Sequence, residues 1–164
     1  FFHADHCIRD SVAALGLGDL YKRLIFTEPV EVISEVSIAF EFPAVYSGKY
    51  VEEISLKFSG GIVVEARASR NEELLHRLIA MDEGAKRIGE FGVGTNFGIN
   101  RYCYDLLFDE KIGGTTHIAL GRAYTQCGGV NKSAFHWDLI KDLREEGALY
   151  LDDRKVIEKG KFFV

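Results

Sequence analysis

Cysteine is scarce and odd in number. Cys7, Cys103 and Cys127 share no C-x-x-C spacing, which argues against a disulfide framework and fits a reducing, cytoplasmic compartment. No run of Lys and Arg with interleaved aromatics is present, and the net charge is -5, so a nucleic-acid surface is excluded as a partner. No apolar stretch approaches the ~20 residues that a membrane helix needs, so no membrane is expected either. Internal repeats and low-complexity segments are missing as well. The chain begins at Phe1 rather than Met and shows no basic, apolar and small-residue leader, so it is expected to be a fragment, a processed product or part of a longer polypeptide. What is there is ordinary for a globular protein: 164 residues, 47% hydrophobic and 27% charged, enough for one domain with a real core.

The pattern along the chain predicts strands more than helices. Ile8, Val12, Leu15 and Leu17 could line a short helix, closed by Gly16 and Gly18. From Ile33 to Phe42 the apolar residues fall mostly two apart, as in a strand, and Pro43 ends it. Val51 to Phe58 and Ile62 to Ala68 form two more strands around the hairpin signal Ser59-Gly60-Gly61, with Val64, Ala66 and Ala68 on one face. Asn71 is placed as a helix N-cap, followed by the stripe Leu74, Leu75, Leu78, Ile79 and Met81. A second short helix is expected over 82–88, a helix or turn over 102–108, strands over 117–120 and 133–139, and a closing hairpin over 149–158. His76 is taken as a surface histidine. Gly92-Val-Gly94 with Gly98 has the spacing G-x-G-x-x-x-G, which is not a dinucleotide loop, and is expected instead to let backbone pass close to a site.

The chemistry concentrates between Gly89 and Leu139. His136-x-Asp138 puts an imidazole and a carboxylate on one face of a strand, about 7 Å apart along the chain. Imidazole with carboxylate suits Zn²⁺, Co²⁺ or Mn²⁺. Glu90, Glu110 and His117 add more donors than one catalytic Zn²⁺ requires, so two ions sharing a carboxylate are the natural expectation. Such a pair would activate a water and polarise a carbonyl, which is hydrolytic chemistry. Taken singly, each residue has an ordinary explanation: Asp109 and Glu110 as a turn, His117 as a buried, hydrogen-bonded histidine. His3, Asp5, His6 and Cys7 are taken as an exposed terminus, and Asn131-Lys132-Ser133, although a glycosylation acceptor pattern, carries little weight without a secretory signal.

Gly-Glu-Phe-Gly (Gly89 to Gly92), the run Leu107 to Tyr124 and the segment Asn131 to Ile140 together resemble the C-terminal half of the thermophilic aminopeptidase T family, the AmpS- and PepS-type dinuclear metalloaminopeptidases. The resemblance runs from about Phe26 to the C-terminus. It implies an α+β fold, with mixed, largely antiparallel sheets and a few short helices, as the C-terminal domain of a two-domain metallopeptidase. Residues 26–164 would then be the metal-binding catalytic domain, with 1–25 left as an unassigned N-terminal segment.

The resemblance further implies metal ligands at Glu90, Glu110, His117, His136 and Asp138, with Glu90 or Asp138 bridging two divalent ions. It places Tyr124 in the site, hydrogen-bonding a developing oxyanion, and makes a carboxylate such as Glu90 a candidate general base. Peptides are the implied substrates and a homodimer the implied assembly. Two features depart from the family: Leu24 stands where the family has a further metal-binding Glu, with Glu28 and Glu31 nearby, and the family's N-terminal domain is missing. The alternative is therefore a truncated or inactive relative that serves only as a structural or oligomerising domain.

Overall fold

The structure is a computed structural model, and it describes residues 24–27, 36–125, 129–151 and 153–163. Its centre is a four-stranded antiparallel sheet in the order β1 (Leu24–Thr27), β7 (Ile88–Gly94), β8 (Thr115–Gly121) and β9 (His136–Asp142). A second sheet pairs β2 (Val36–Phe40), β5 (Ile54–Ser59) and β6 (Ile62–Arg67). Between β2 and β5 runs the ribbon of β3 (Ala44–Tyr46) and β4 (Lys49–Val51). Helix α1 (Glu72–Ile79) follows β6, and the four-residue α2 (Leu106–Asp109) precedes β8. A three-stranded sheet of β10 (Ala148–Leu151), β11 (Arg154–Glu158) and β12 (Lys161–Phe162) closes the described fold. Among the described residues all the strand pairs are antiparallel, in agreement with the α+β expectation.

The central sheet is covered on one face by the second sheet and α1. Ile88, Ile118, Leu120, Trp137 and Leu139 pack there against Phe40, Leu56, Phe58, Leu75 and Leu78. Trp137 also donates its indole N–H to Val45 O at 3.0 Å, tying β9 to β3. Every residue of β8 is buried, as a middle strand covered on both faces requires. The opposite face of this sheet therefore carries its side chains into an interior, and that is where the polar donors lie.

Several sequence expectations change in detail. The strand expected over 51–58 is broken at Glu53, whose φ of 50° leaves the β region. The turn at Gly60 and Gly61 forms with positive φ at both, as a two-residue hairpin turn prefers. A register shift beside it, between Lys57 and Phe58, turns Val63 inward and leaves Val64 58% exposed, so the face assigned to Val64 is wrong.

Asn71 is the N-cap of α1, but in the left-handed region and without a capping side chain; its amide donates to Tyr50 O instead. Of the α1 stripe, Leu75 and Leu78 are buried and Met81 is exposed. Residues 82–86 are a turn rather than a helix, because Asp82 accepts from Ala85 N (2.8 Å), Ser133 Oγ (2.8 Å) and Ala134 N (3.0 Å) and ties the segment to the chain before β9. His76 is exposed as expected, though its Nε2 lies 3.0 Å from Ala66 O. The expected helix before Tyr21, the His3–Cys7 group, Glu28 and Glu31 lie outside the described residues.

Candidate metal centre

A bulge at Gly89 sets the site. Ile88 pairs with Leu120 while Glu90 pairs with Ala119, so the register shifts between them. Residues two apart on a regular strand share a face, but the extra residue lets Ile88 point into the core and Glu90 to the other side. A side chain at Gly89 would collide with the carbonyl of Gly121, which leaves only glycine for the bulge. From Glu90 the register carries the same face across the sheet: Ala119 is the partner of both Glu90 and Asp138, and His117 is the partner of Gly92. His136, two residues before Asp138, completes the row. Glu110 arrives from outside the sheet as the C-cap of α2, its N–H donating to Leu106 O.

All five donors foreseen in the sequence meet in one place. His117 Nε2 lies 3.4 Å from Glu90 Oε1 and 3.9 Å from Asp138 Oδ1. His136 Nε2 lies 3.6 Å from Glu90 Oε2 and 3.7 Å from the same Asp138 Oδ1. Glu90 thus offers one oxygen to each imidazole, and Asp138 Oδ1 faces both rings. Two triads overlap at Asp138, Glu90–His136–Asp138 and Glu110–His117–Asp138, and within each the donor atoms lie within 4.8 Å of one another.

Orientation is fixed beneath the donors. His136 Nδ1 donates to Arg122 O at 2.8 Å, which turns Nε2 toward the carboxylates. His117 is wholly buried and fits because Gly92 has no side chain; a Cβ there would collide with the ring. Tyr124 packs its ring edge-on against His136, centroids 5.4 Å apart, and is 42% exposed, so it stands at the rim.

The electrostatics show a site short of positive charge. Burial raises the Asp138 carboxyl above the ordinary range, against the pull of His117 and His136. Burial likewise raises Glu110, although Lys111 opposes it. For His117 burial favours the neutral ring, but Glu90, Asp138 and Glu110 outweigh it and the net shift is upward. Burial and the same three carboxylates push the Tyr124 phenol up. His117 Nδ1 and Asp138 Oδ1 are buried with no hydrogen-bond partner, a rare condition that calls for an explanation. Divalent cations coordinated between the rings and the carboxylates would give Asp138 Oδ1 its missing partner and supply the missing charge, so the donor set fits them.

Two buried residues of this region escape notice in the sequence. Asp109, taken as a turn residue, is fully buried and accepts from Cys103 N (2.7 Å) and Asp105 N (2.8 Å), shaping the loop that leads into Glu110. Lys111 is buried as well, and its Nζ contacts Glu110. Charged side chains in a turn-like context give no sign of burial, and only the folded chain reveals it. Asn131, noted for its glycosylation pattern, is partly buried with its amide donating to Gly84 O and Gly121 O.

By family the chain is a metallopeptidase: it belongs to the thermophilic metalloprotease (M29) family, whose sequence profile matches residues 22–162. It is 38% identical over 160 residues to aminopeptidase T of Thermus thermophilus, covering 85% of this chain and 39% of that one. The structure of wild-type AmpT from Thermus thermophilus superposes with a TM-score of 0.75 and 31% identity, covering 87% of this chain and 40% of that chain. The 2,5-dihydroxypyridine dioxygenase of Pseudomonas putida superposes with a TM-score of 0.72 at 20% identity, over 85% of this chain and 43% of that one, and shares the fold alone. The chain thus spans about two fifths of the length of the Thermus thermophilus aminopeptidase.

Proposed function

We propose that residues 26–164 form the metal-binding domain of an aminopeptidase that releases N-terminal residues from peptides. The observation that carries this is the placement of Asp138 Oδ1 within 4 Å of both imidazoles, at the overlap of two three-residue donor sets. Glu90, Asp138 and His136 would hold one divalent ion, and Glu110, Asp138 and His117 a second, with Zn²⁺, Co²⁺ or Mn²⁺ suited to the mixed donors. Bound there, the ions would polarise a peptide carbonyl and acidify a water. In this reading Glu90 would accept a proton from the attacking water, and the Tyr124 phenol would hydrogen-bond the developing oxyanion. Support for peptides as substrates comes from the aminopeptidases that the chain resembles; a homodimer and a cytoplasmic setting remain part of the same proposal. Among the described residues no helix is long and apolar enough to cross a membrane.

One observation favours a second reading, a relative that folds and assembles without hydrolysing peptides. Leu24, at the position of an acidic ligand in the family, sits on β1 opposite Gly94, two residues along from the partner of His117. Elemental analysis of the purified chain separates the two. About two divalent ions per chain, with hydrolysis of aminoacyl-anilides to amino acid and aniline in Co²⁺ or Zn²⁺, is the expected result. One ion without turnover would support the second reading, and no ion would overturn both the metal centre and the activity.

A further inference from the structure

Lysine is rarely buried unless paired, yet Lys111 is only 5% exposed. Its backbone is anchored on both sides, with N–H donating to Phe108 O at 3.1 Å and the carbonyl accepting from Asn96 N at 2.9 Å. Its Nζ donates to Leu107 O at 2.6 Å and forms an ion pair with Glu110 Oε1. Stability does not account for such a pair, because apolar replacements of buried ion pairs are often neutral or stabilising.

The position of Glu110 does account for it. Glu90, His117, His136 and Asp138 are held by the hydrogen-bond ladder of β7, β8 and β9. Glu110 alone comes from outside that ladder, at the end of a four-residue helix, on a long side chain with several free torsions. Carboxylates that bind metals are themselves held by hydrogen bonds, and loss of such a support commonly weakens metal binding.

We propose that Lys111 is a positioning residue for the metal centre, gripping one carboxylate oxygen of Glu110 so that the group meets His117 and Asp138 in a single orientation. This rests on the metal-centre reading given above. It differs from a simple charge effect, since a nearby ammonium acting only by repulsion would weaken cation binding, and its removal would tighten it.

The test is Zn²⁺ and Co²⁺ binding, measured by competition with a chromophoric chelator, in the unaltered chain, Lys111→Met, Glu110→Gln and the double variant. Lys111→Met is expected to weaken, by about 10–100-fold, the same ion that Glu110→Gln weakens. The double variant is expected to bind no more weakly than Glu110→Gln alone, because Lys111 acts through Glu110. Unchanged or tighter binding in Lys111→Met, an additive loss in the double variant, or unaltered binding in Glu110→Gln would each overturn the assignment. An unaltered chain that binds no ion overturns the proposed function itself, and this inference with it; full binding by both it and Lys111→Met overturns this inference alone. Should Lys111→Met not fold, Lys111→Leu, which also lacks an N–H donor, takes its place in the same cycle with Glu110→Gln and is judged by the same criterion.

Discussion

Gly92 and His117 are cross-strand partners, and the space that any side chain at 92 would take is filled by the imidazole. The ring is wholly buried and cannot tilt away without entering its neighbours. Gly92→Ala should therefore push His117 out of line with Glu90 and Asp138 while leaving the strands paired. Overpacking of this sort costs about 1–3 kcal/mol. The expected result is a folded chain by circular dichroism with a lowered melting temperature and a lost or weakened ion. Full metal content in Gly92→Ala would show that His117 is held by something other than this contact.

Asp138 belongs to both donor sets, whereas His136 and Glu110 each belong to one. Asp138→Ala should consequently remove all bound metal, and His136→Ala or Glu110→Gln should each leave about one ion per chain. Inductively coupled plasma analysis after dialysis reads the difference directly. Equal losses in the three variants would contradict the assignment of Asp138 as the shared ligand.

Stripping metal should loosen the whole domain, since the donors span three strands and the end of α2. A ligand at a hundred times its Kd adds about 2.7 kcal/mol to the folded state. For a domain of this size that corresponds to a rise in Tm of roughly 5–10 °C. Calorimetry of chelator-treated and metal-loaded chains measures it; coincident melting would mean that the site holds no ion at the concentrations used.

The donors were legible in the sequence because their residue types and motifs are distinctive, and the structure brings all five together. The strands of the second sheet were legible too, from the two-residue period over Val36–Phe40 and the glycines of the hairpin. What could not be read depends on partners far along the chain. Val63 and Val64 are equivalent until pairing with β5 leaves Val64 as the extra residue of a bulge and buries Val63. Residues 82–86 look helical until Asp82 meets Ser133, fifty-one positions away. Lys111 looks like a solvated charge until its burial beside Glu110 is seen.

The link between Asp82 and Ser133 provides a test by pH. Donation from the Ser133 hydroxyl, with help from Ala134 N–H, holds the Asp82 carboxyl below its ordinary range. A depressed carboxyl favours the folded chain above the unfolded pKa of about 3.9, and that contribution disappears as pH falls through the folded value. Ser133→Ala removes the largest cause of the depression, so it should destabilise the fold most at neutral pH. Ser133 Oγ also accepts from the buried Phe135 N at 3.0 Å, and leaving that N–H unpaired costs about 1–3 kcal/mol at any pH. The stability gap between Ser133→Ala and the unaltered chain, followed by urea unfolding, should accordingly be constant from neutral pH down to about 4. Below that it should narrow without closing. A gap that stays constant into strong acid would mean that the Asp82 carboxylate gains nothing from the serine, and that Ala85 N and Ala134 N alone hold it.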